Sequence, residues 1–371
     1  MVKLNKFLLL ALPAVLLVGC GEKPSSSGDP SSSTPTTSVS TPAEQTIYFG
    51  LGAVAEYASK TDIAAYGAYI QTDVDVVSVV FDAAGKVLDL NLDVMQVKAF
   101  SAEANVTSLN SKKFIDETVG DIASKWELLE EYGMIIASPI EKEWYEQADA
   151  YENWTIGKTV AEITDPAGLV DFYGGKALED GATVGCTIKV DGFMAALTKA
   201  WESKIETTVP DVSGLRVGVA MNNTHAALQD DIAVGGLLLD ANKKIVASKF
   251  DVFQVPYTVS ANAELFDVAV NTTRKQVVVA ETRIKSKHEL GDAYNMRGAS
   301  PIEKEWFEQA NALAEWAVGQ TVTEFTDAEK YQQGDHGTEL KDGATVGCTI
   351  GLNAILKLYV EAEVVALDTT R

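Results

Sequence analysis

The residues best suited to chemistry lie in a nine-residue segment, Asp-Gly-Ala-Thr-Val-Gly-Cys-Thr-Ile, which occurs twice, at Asp180–Ile188 and at Asp342–Ile350. We call each copy a threonine segment. Each offers a hydroxyl directly after two small residues, so a partner enzyme could approach it closely. If the segment runs into a helix, the helix amides would favour a phosphate there. The pattern predicts a phosphoryl acceptor, and its structural alternative is a tight turn before a short strand or a buried helix start. The candidates are Asp180, Gly181, Ala182, Thr183, Asp342, Gly343, Ala344 and Thr345.

Asp-Gly-Ala-Thr resembles the Ser/Thr-Gly-Ala-Thr signature of FMN-binding domains. In that family a flavin transferase of the ApbE type takes FMN from FAD and attaches it to the threonine hydroxyl through a phosphoester. The resemblance implies two covalent FMN groups, one on Thr183 and one on Thr345.

The sequence departs from this signature in both copies. Aspartate replaces the Ser or Thr before Gly-Ala-Thr, and the Asp that the family has three places earlier is replaced by Ala177 or Glu339. Each threonine segment also holds a second hydroxyl near its end. The second candidates for attachment are therefore Thr187 and Thr349.

Other reactive residues give weaker patterns. The two cysteines of the threonine segments, Cys186 and Cys348, are interpreted as small buried residues, with a disulfide between the copies as the alternative. The histidines follow no metal-ligand spacing, so we predict no metal site and no catalytic residue of the chain's own; they are His225, His288 and His336. Four aromatic residues recur in both copies and could stack on a flavin, although packing in the core is the favoured interpretation: Tyr132, Trp144, Tyr294 and Trp306.

A second repeated segment helps to define the domains. Ser-Pro-Ile-Glu-Lys-Glu-Trp, which we call the serine segment, occurs at Ser138–Trp144 and Ser300–Trp306. A period this long indicates tandem domains and not a solenoid of short repeats. We predict a first domain over residues 46–207 and a second over residues 208–371.

The elements that must position these residues are typical of an α+β fold with antiparallel hairpins. Around Ala83–Lys86 and Ala241–Lys244, runs of alternating apolar and polar residues predict a hairpin with one buried face. A helix is expected to begin at the serine segment, with Ser138 as N-cap, Pro139 in the first turn and Glu141 completing a capping box. Terminal helices are predicted over Phe193–Trp201 and Leu352–Val360.

The N-terminal residues carry a targeting pattern. Lys3 and Lys6 precede an apolar run from Phe7 to Val18, which is typical of a signal peptide over residues 1–19. The run closes on Leu-Val-Gly-Cys, which resembles the lipobox of bacterial lipoproteins and implies a lipid anchor on Cys20. Residues 20–45, rich in Ser, Thr and Pro, predict a disordered tether.

The charge balance limits the partners. With 30 Lys and Arg against 53 Asp and Glu, the 371-residue chain has a net charge of −23, which repels nucleic acid, so we predict no nucleic-acid partner. The whole chain resembles the peptide pheromone-encoding lipoproteins of Gram-positive flavin-based extracellular electron transfer. The resemblance implies a redox carrier at the extracellular face of the membrane, fed by membrane electron-transfer components and reducing ferric iron or soluble flavins, with a leader that could be released as a pheromone. The alternative is a surface binding or adhesion lipoprotein.

Overall fold

The computed structural model describes residues 44–63, 67–100, 111–113, 122–226, 229–259, 266–268, 276–278 and 281–368. They belong to one compact unit that runs from Pro42 to the end of the chain. The predicted signal peptide, Cys20 and the predicted tether up to residue 43 lie outside the described residues and stay predictions. The predicted end of the tether at residue 45 is too late, because a strand already begins at Gln45 and pairs with Val209.

The described residues form an α+β fold, as expected, and their strand pairs are antiparallel except for the parallel pair of Val87–Phe100 with Ser111–Lys113. In chain order the strands are β1 (Gln45–Ile63), β2 (Gly67–Asp82), β3 (Val87–Phe100), β4 (Ser111–Lys113), β5 (Leu169–Phe172), β6 (Gly175–Leu178), β7 (Ile205–Val209), β8 (Arg216–Ala226), β9 (Gln229–Leu239), β10 (Ile245–Val259), β11 (Phe266–Val268), β12 (Val277–Val278), β13 (Arg283–Ile284), β14 (Tyr331–Gly334) and β15 (Gly337–Leu340). The α-helices are α1 (Lys125–Leu128), α2 (Trp144–Thr155), α3 (Val160–Ile163), α4 (Gly181–Val184), α5 (Asp191–Glu202), α6 (Lys287–Leu290), α7 (Trp306–Ala317), α8 (Val322–Phe325), α9 (Gly343–Val346) and α10 (Asn353–Leu367).

Two large sheets and two small hairpins organise these strands. The first large sheet has the order β12-β13-β1-β2-β3-β4, and β7 also pairs with β1. The second has the order β11-β10-β9-β8, and β5–β6 and β14–β15 are separate hairpins. Strand β7 crosses the predicted boundary between residues 207 and 208 and joins the first sheet, whereas β12 and β13 reach that sheet from the second half of the chain.

The predicted hairpins β2–β3 and β9–β10 are present, but each has more than one buried face. Along β2, Val76 and Val80 are as fully buried as their neighbours Val77 and Val79. The expectation of a single buried face is therefore wrong. Its physical reason is that one face of each large sheet packs against the other sheet, while the opposite face carries helices.

The inner faces of the sheets form a shared core. One buried cluster contains residues of β1 to β3 together with Val219, Ile232, Val234 and Phe253 from β8 to β10. The close approach also leaves no room for a side chain at Gly236, because a Cβ there would overlap the Ser78 hydroxyl.

The outer faces of the sheets are covered by helices. Helix α5 crosses β1 at Gly50 and Gly52, where an added Cβ would overlap the α5 backbone. Helix α10 crosses β8 in the same way at Gly218. Both predicted terminal helices are present and longer than expected, since they extend to Glu202 and Leu367.

The helix after the serine segment begins later than predicted. Helix α2 starts at Trp144, with Glu143 at its N-cap and Glu146 completing the capping box. The predicted start at Ser138 is wrong because the chain turns through a positive φ of 54° at Glu141, which interrupts a helix. The second copy begins in the same way at Trp306, 162 residues later.

Candidate functional site

The serine segment and the threonine segment lie against each other and are joined by one buried glutamine. Gln147 follows the serine segment on α2 and is fully buried. Its side-chain oxygen accepts hydrogen bonds from the Thr187 backbone N–H at 2.8 Å and from the Thr187 hydroxyl at 3.0 Å. Its side-chain nitrogen donates to the Ser138 hydroxyl at 3.0 Å and to the Lys142 carbonyl at 3.1 Å. All three hydrogen-bonding groups of this amide are therefore committed to holding the two segments together.

The second half of the chain repeats this arrangement. Gln309 is also fully buried, and its oxygen accepts from the Thr349 N–H at 2.8 Å and from the Thr349 hydroxyl at 3.1 Å. Its nitrogen donates to the Ser300 hydroxyl at 3.0 Å and to the Lys304 carbonyl at 3.2 Å. The serine segment and the threonine segment thus form the same contact in both halves of the chain.

Ser138 organises the serine segment in a way that differs from the predicted N-cap. Its hydroxyl accepts the backbone N–H groups of Ile140 at 3.4 Å and Lys142 at 3.2 Å, besides the Gln147 amide. The nearby carboxylate of Glu143 is 3% exposed and accepts two backbone N–H groups, those of Met134 and Ile135. These bonds fix the turn that precedes α2.

The threonine segment begins with a single helical turn, α4. Gly181 is buried there, and an added Cβ would overlap the carbonyl oxygen of Cys186. The packing of the turn therefore requires a glycine at this position. Ala182 and Thr183 are exposed, as access by a partner requires. The chain then reverses at Gly185, whose φ is 93°. Gly343 is equally constrained by the Cys348 carbonyl in the second copy.

The segment does not run directly into the terminal helix. Helix α5 begins only at Asp191, with Val190 at its N-cap, and α10 begins at Asn353. Thr183 and Thr345 therefore lie outside the first turns of these long helices, so the predicted phosphate site at the helix start does not form around them.

A cavity opens beside the end of the first threonine segment. Its volume is about 680 Å³, and Thr187 and Ile188 line it, whereas Thr183 does not. Apolar walls come from the sheet, from α2 and from α5. They include Val54, Val94, Trp144 and Phe193. The β5–β6 hairpin contributes Phe172 and Tyr173 at its tip.

The charged groups of this cavity are mainly acidic. Asp75 projects from β2 towards α5, where a Cβ on Gly192 would overlap its carboxylate. Burial raises the pKa of Asp75 to about 7, against the opposing effect of the Lys125 ammonium. The other charged groups in the lining are Glu56, Asp73, Asp191 and Lys189. Asp75 has no acidic counterpart in the second half, where the equivalent hairpin position is Ala233.

The second threonine segment borders a smaller cavity of about 250 Å³. Gly343, Ala344 and Thr349 line it, together with His336 and Lys341. Thr345 is exposed and does not line this cavity. In both halves, the second candidate threonine is therefore the one that faces a cavity.

The repeated aromatic residues mostly pack in the core, as favoured from the sequence. Trp144 is 3% and Trp306 4% exposed. A lysine ammonium lies over each tryptophan ring: Lys125 at 5.4 Å and Lys287 at 5.1 Å from the ring centroids. The same lysines lie 5.1 Å from the rings of Tyr132 and Tyr294.

The cysteines of both threonine segments are free and buried. Burial raises the pKa of Cys186 to about 12 and that of Cys348 to about 11, so neither is a reactive thiolate. The interpretation as small buried residues is confirmed, and the alternative of a disulfide between them is wrong.

The histidines are not brought together. His288 packs against Trp306 and lies 3.3 Å from the Asp251 carboxylate through Nδ1. Burial disfavours a charged His288, yet the Asp251 carboxylate raises its pKa above the usual value. His336 lines the second cavity, and the side chain of His225 lies outside the described residues. Within the described residues, no group of His, Cys, Asp and Glu could hold a metal ion.

Sequence reasoning missed the glutamines and Asp75. The sequence does carry a signal for the glutamines, because Trp-Tyr-Glu-Gln and Trp-Phe-Glu-Gln extend the serine segments with a polar residue on the buried face of a helix. Asp75 carries a weaker one: a carboxylate in a strand whose counterpart is apolar. The described part of the chain contains no helix long and apolar enough to span a membrane.

Comparison with known proteins gives one distant relative to report. The chain is similar to a chlorophenol reductase of Desulfitobacterium hafniense, with 31% identity over 130 residues. The match covers 33% of this chain and 38% of the relative, so the chain spans well under half of that protein's length. No protein-family model matches the sequence. No solved structure matches it significantly.

Proposed function

We propose that this chain is a membrane-anchored extracellular electron carrier, built from two tandem FMN-binding-type domains that each bear one covalent FMN. The observation that carries the proposal is that each half places a threonine, Thr187 or Thr349, in the lining of a cavity, where a buried glutamine holds it. The sequence keeps both partners of that contact nearly unchanged in two halves whose surroundings differ. Packing accounts for the contact with the glutamine, but it does not account for a cavity beside that threonine in both halves.

Geometry favours Thr187 and Thr349 as the attachment sites over the exposed Thr183 and Thr345. A flavin attached at Thr187 has a cavity beside it in which its ring can lie. The hydroxyl also has a fixed position, because it donates a hydrogen bond to the Gln147 side-chain oxygen at 3.0 Å. In the transfer, the hydroxyl oxygen would form the new bond to the FMN phosphorus of FAD, AMP would leave, and the transferase would accept the hydroxyl proton.

The first cavity fits the proposed group. Its volume of about 680 Å³ lies within the roughly 300–1,000 Å³ of pockets that bind small molecules. Val54, Val94 and Phe193 offer apolar walls for a ring, and Lys189 offers a cation close to Thr187. The second cavity is smaller, so a ring attached at Thr349 would lie partly in solvent.

The chain and its cofactor would divide the work. FMN supplies the redox chemistry when bound, as cofactors generally do. The protein fixes the attachment point, provides the walls of the cavity and carries a strongly acidic surface. A covalent bond is useful outside the cell, where a dissociated cofactor is lost by diffusion.

The partners follow from the predicted anchor and tether. A lipid on Cys20 would keep the carrier close to membrane components that supply electrons, and a flexible tether would let the flavins reach ferric iron or soluble flavins. An ApbE-type transferase would load the two threonines.

Intact mass tests this proposal. Protein made together with the transferase should carry two FMN groups, and protein made without it none. Thr187→Val and Thr349→Val should each lose one FMN, and the double variant both, because the ester requires the hydroxyl. Thr198→Val on α5, whose hydroxyl donates only to the Met194 carbonyl in the same helix, is the matched control and should keep both.

Two results would change the assignment. Loss of FMN in Thr183→Val and Thr345→Val, with full loading of the Thr187 and Thr349 variants, would move attachment to the exposed threonines. Absence of covalent flavin in every protein made with the transferase would refute the carrier and favour a surface binding lipoprotein.

A further inference from the structure

The β5–β6 hairpin ends in a pair of aromatic residues that folding alone does not explain. Phe172 and Tyr173, which we call the aromatic tip, contact each other edge to face with ring centroids 4.6 Å apart. Tyr173 is 87% exposed, so its ring contributes little to the core. Both residues line the first cavity.

The backbone at the aromatic tip is unfavourable for a tyrosine. Phe172 pairs with Gly175, which leaves a two-residue loop of Tyr173 and Gly174 with φ values of 45° and 78°. Loops of this kind strongly prefer Asn, Asp or Gly at the first position, because positive φ is costly for larger residues. Strained residues of this sort are concentrated at sites of function.

The corresponding hairpin of the second half, β14–β15, has no aromatic tip. It carries Gly334 and Asp335 at the positions of Phe172 and Tyr173. Neither Asp335 nor the following His336 has a positive φ. The hairpin itself therefore forms without aromatic residues at its tip.

The charge of the first cavity restricts what can bind there. Its lining contains four carboxyl groups and two lysines: Glu56, Asp73, Asp75, Asp191, Lys125 and Lys189. An anionic ligand that enters freely would meet a net negative wall. An uncharged planar ring would instead gain contact with the aromatic tip and with the apolar residues of the sheet.

We propose that the first cavity is an isoalloxazine site closed by the aromatic tip, and that the second half lacks an equivalent site. The choice of a flavin rests on the proposed function. The ring could come from the FMN attached in this half or from a free flavin, since both present the same planar face. The two halves are then inequivalent: one ring is stacked and shielded, and the other is exposed.

Riboflavin is the probe, because it has the ring but no phosphate and cannot be attached covalently. Full-length protein made without the transferase should bind riboflavin and quench its fluorescence. Phe172→Gly with Tyr173→Asp, which copies the second hairpin, should weaken binding about tenfold, equal to about 1.4 kcal/mol. Val364→Ala, a substitution of a 67%-exposed residue on α10, is the control and should bind as the parent does.

Further measurements separate loss of the ring from loss of folding and identify the source of the flavin. Tyr173→Asn relieves the positive φ, so its Tm should not fall although riboflavin binding weakens. If covalently loaded protein no longer binds riboflavin, the attached FMN occupies the site; if it still binds, the site serves free flavin.

Equal riboflavin affinity in the parent and the double variant, or no binding at all, would overturn the proposal. Either result would leave the mass of the loaded protein unchanged. The carrier function is therefore tested separately, by the intact mass of the protein.

Discussion

The substitution Gln147→Leu tests whether the contact between the two repeated segments is the centre of the site. Leucine has a similar size and suits a helix, but it cannot bond to Thr187 or Ser138. Four hydrogen bonds of 2.8–3.1 Å are lost, each worth about 1 kcal/mol net. The Thr187 N–H also loses its partner, and the total loss of unfolding free energy should be about 3–5 kcal/mol.

Guanidinium unfolding followed by tryptophan fluorescence measures this loss. Gln309→Leu should cost a similar amount, because its four bonds have nearly the same lengths. The exposed Gln332→Leu is the control and should change stability by less than about 0.5 kcal/mol.

Peptide mass spectrometry of the same proteins measures loading in each half. With the threonine hydroxyl no longer held, Gln147→Leu should reduce FMN on the first threonine segment and leave the second unchanged, and Gln309→Leu should do the reverse. Full FMN loading on both segments in these variants would refute the idea that the glutamine positions the acceptor. A stability loss under 1 kcal/mol would refute the energetic estimate.

Three further predictions concern packing and pH. Gly181→Ala should destabilise the protein by about 1–3 kcal/mol in chemical denaturation, because the Cβ would overlap a carbonyl oxygen, whereas Gly168→Ala has open space and should be nearly neutral. Burial raises the pKa of Asp75 to about 7, so the contribution of this residue to the free energy of unfolding falls as pH rises from about 4 to 7. Asp75→Asn should remove that loss. It should stabilise the protein near pH 8 by up to ~4 kcal/mol and have little effect near pH 4. A parent that shows no greater fall over that range than Asp75→Asn would contradict this. Because the pKa of His288 is raised, its ion pair with Asp251 stabilises the folded protein below about pH 6.5, and this stabilisation is lost as pH rises through the folded pKa. His288→Ala should therefore lower Tm more near pH 5 than near pH 9. An equal decrease at the two pH values would contradict the ion pair.

Much of the local structure could be predicted from the sequence. The turns at Gly85 and Lys243 both use positive φ, as short hairpin connections often do. The end of α2 near Gly157 and the short helix α3 after Thr159 also follow from local signals.

The sequence predictions fail where contacts between residues far apart in the chain determine the local structure. Ser138 looked like an N-cap, but its hydroxyl is taken by the turn and by Gln147, nine residues away. The double burial of β2 depends on a second sheet that follows far along the chain. Such contacts leave only weak traces in a local window, so residue spacing alone could not show them.

Two separate constraints act on the sequence of the repeated threonine segment. Gly181 must be small because of the Cys186 carbonyl, Gly185 must adopt a positive φ, and Thr187 must meet Gln147, so packing explains why these residues recur. Packing does not explain Ala182 and Thr183, whose side chains are exposed and yet identical in the second copy. Exposed residues that recur beside variable flanks are best explained by a surface that something else must recognise. A transferase that docks on the α4 turn to reach the hydroxyl of Thr187 would require that surface in both halves, even if Thr183 itself never carries the flavin.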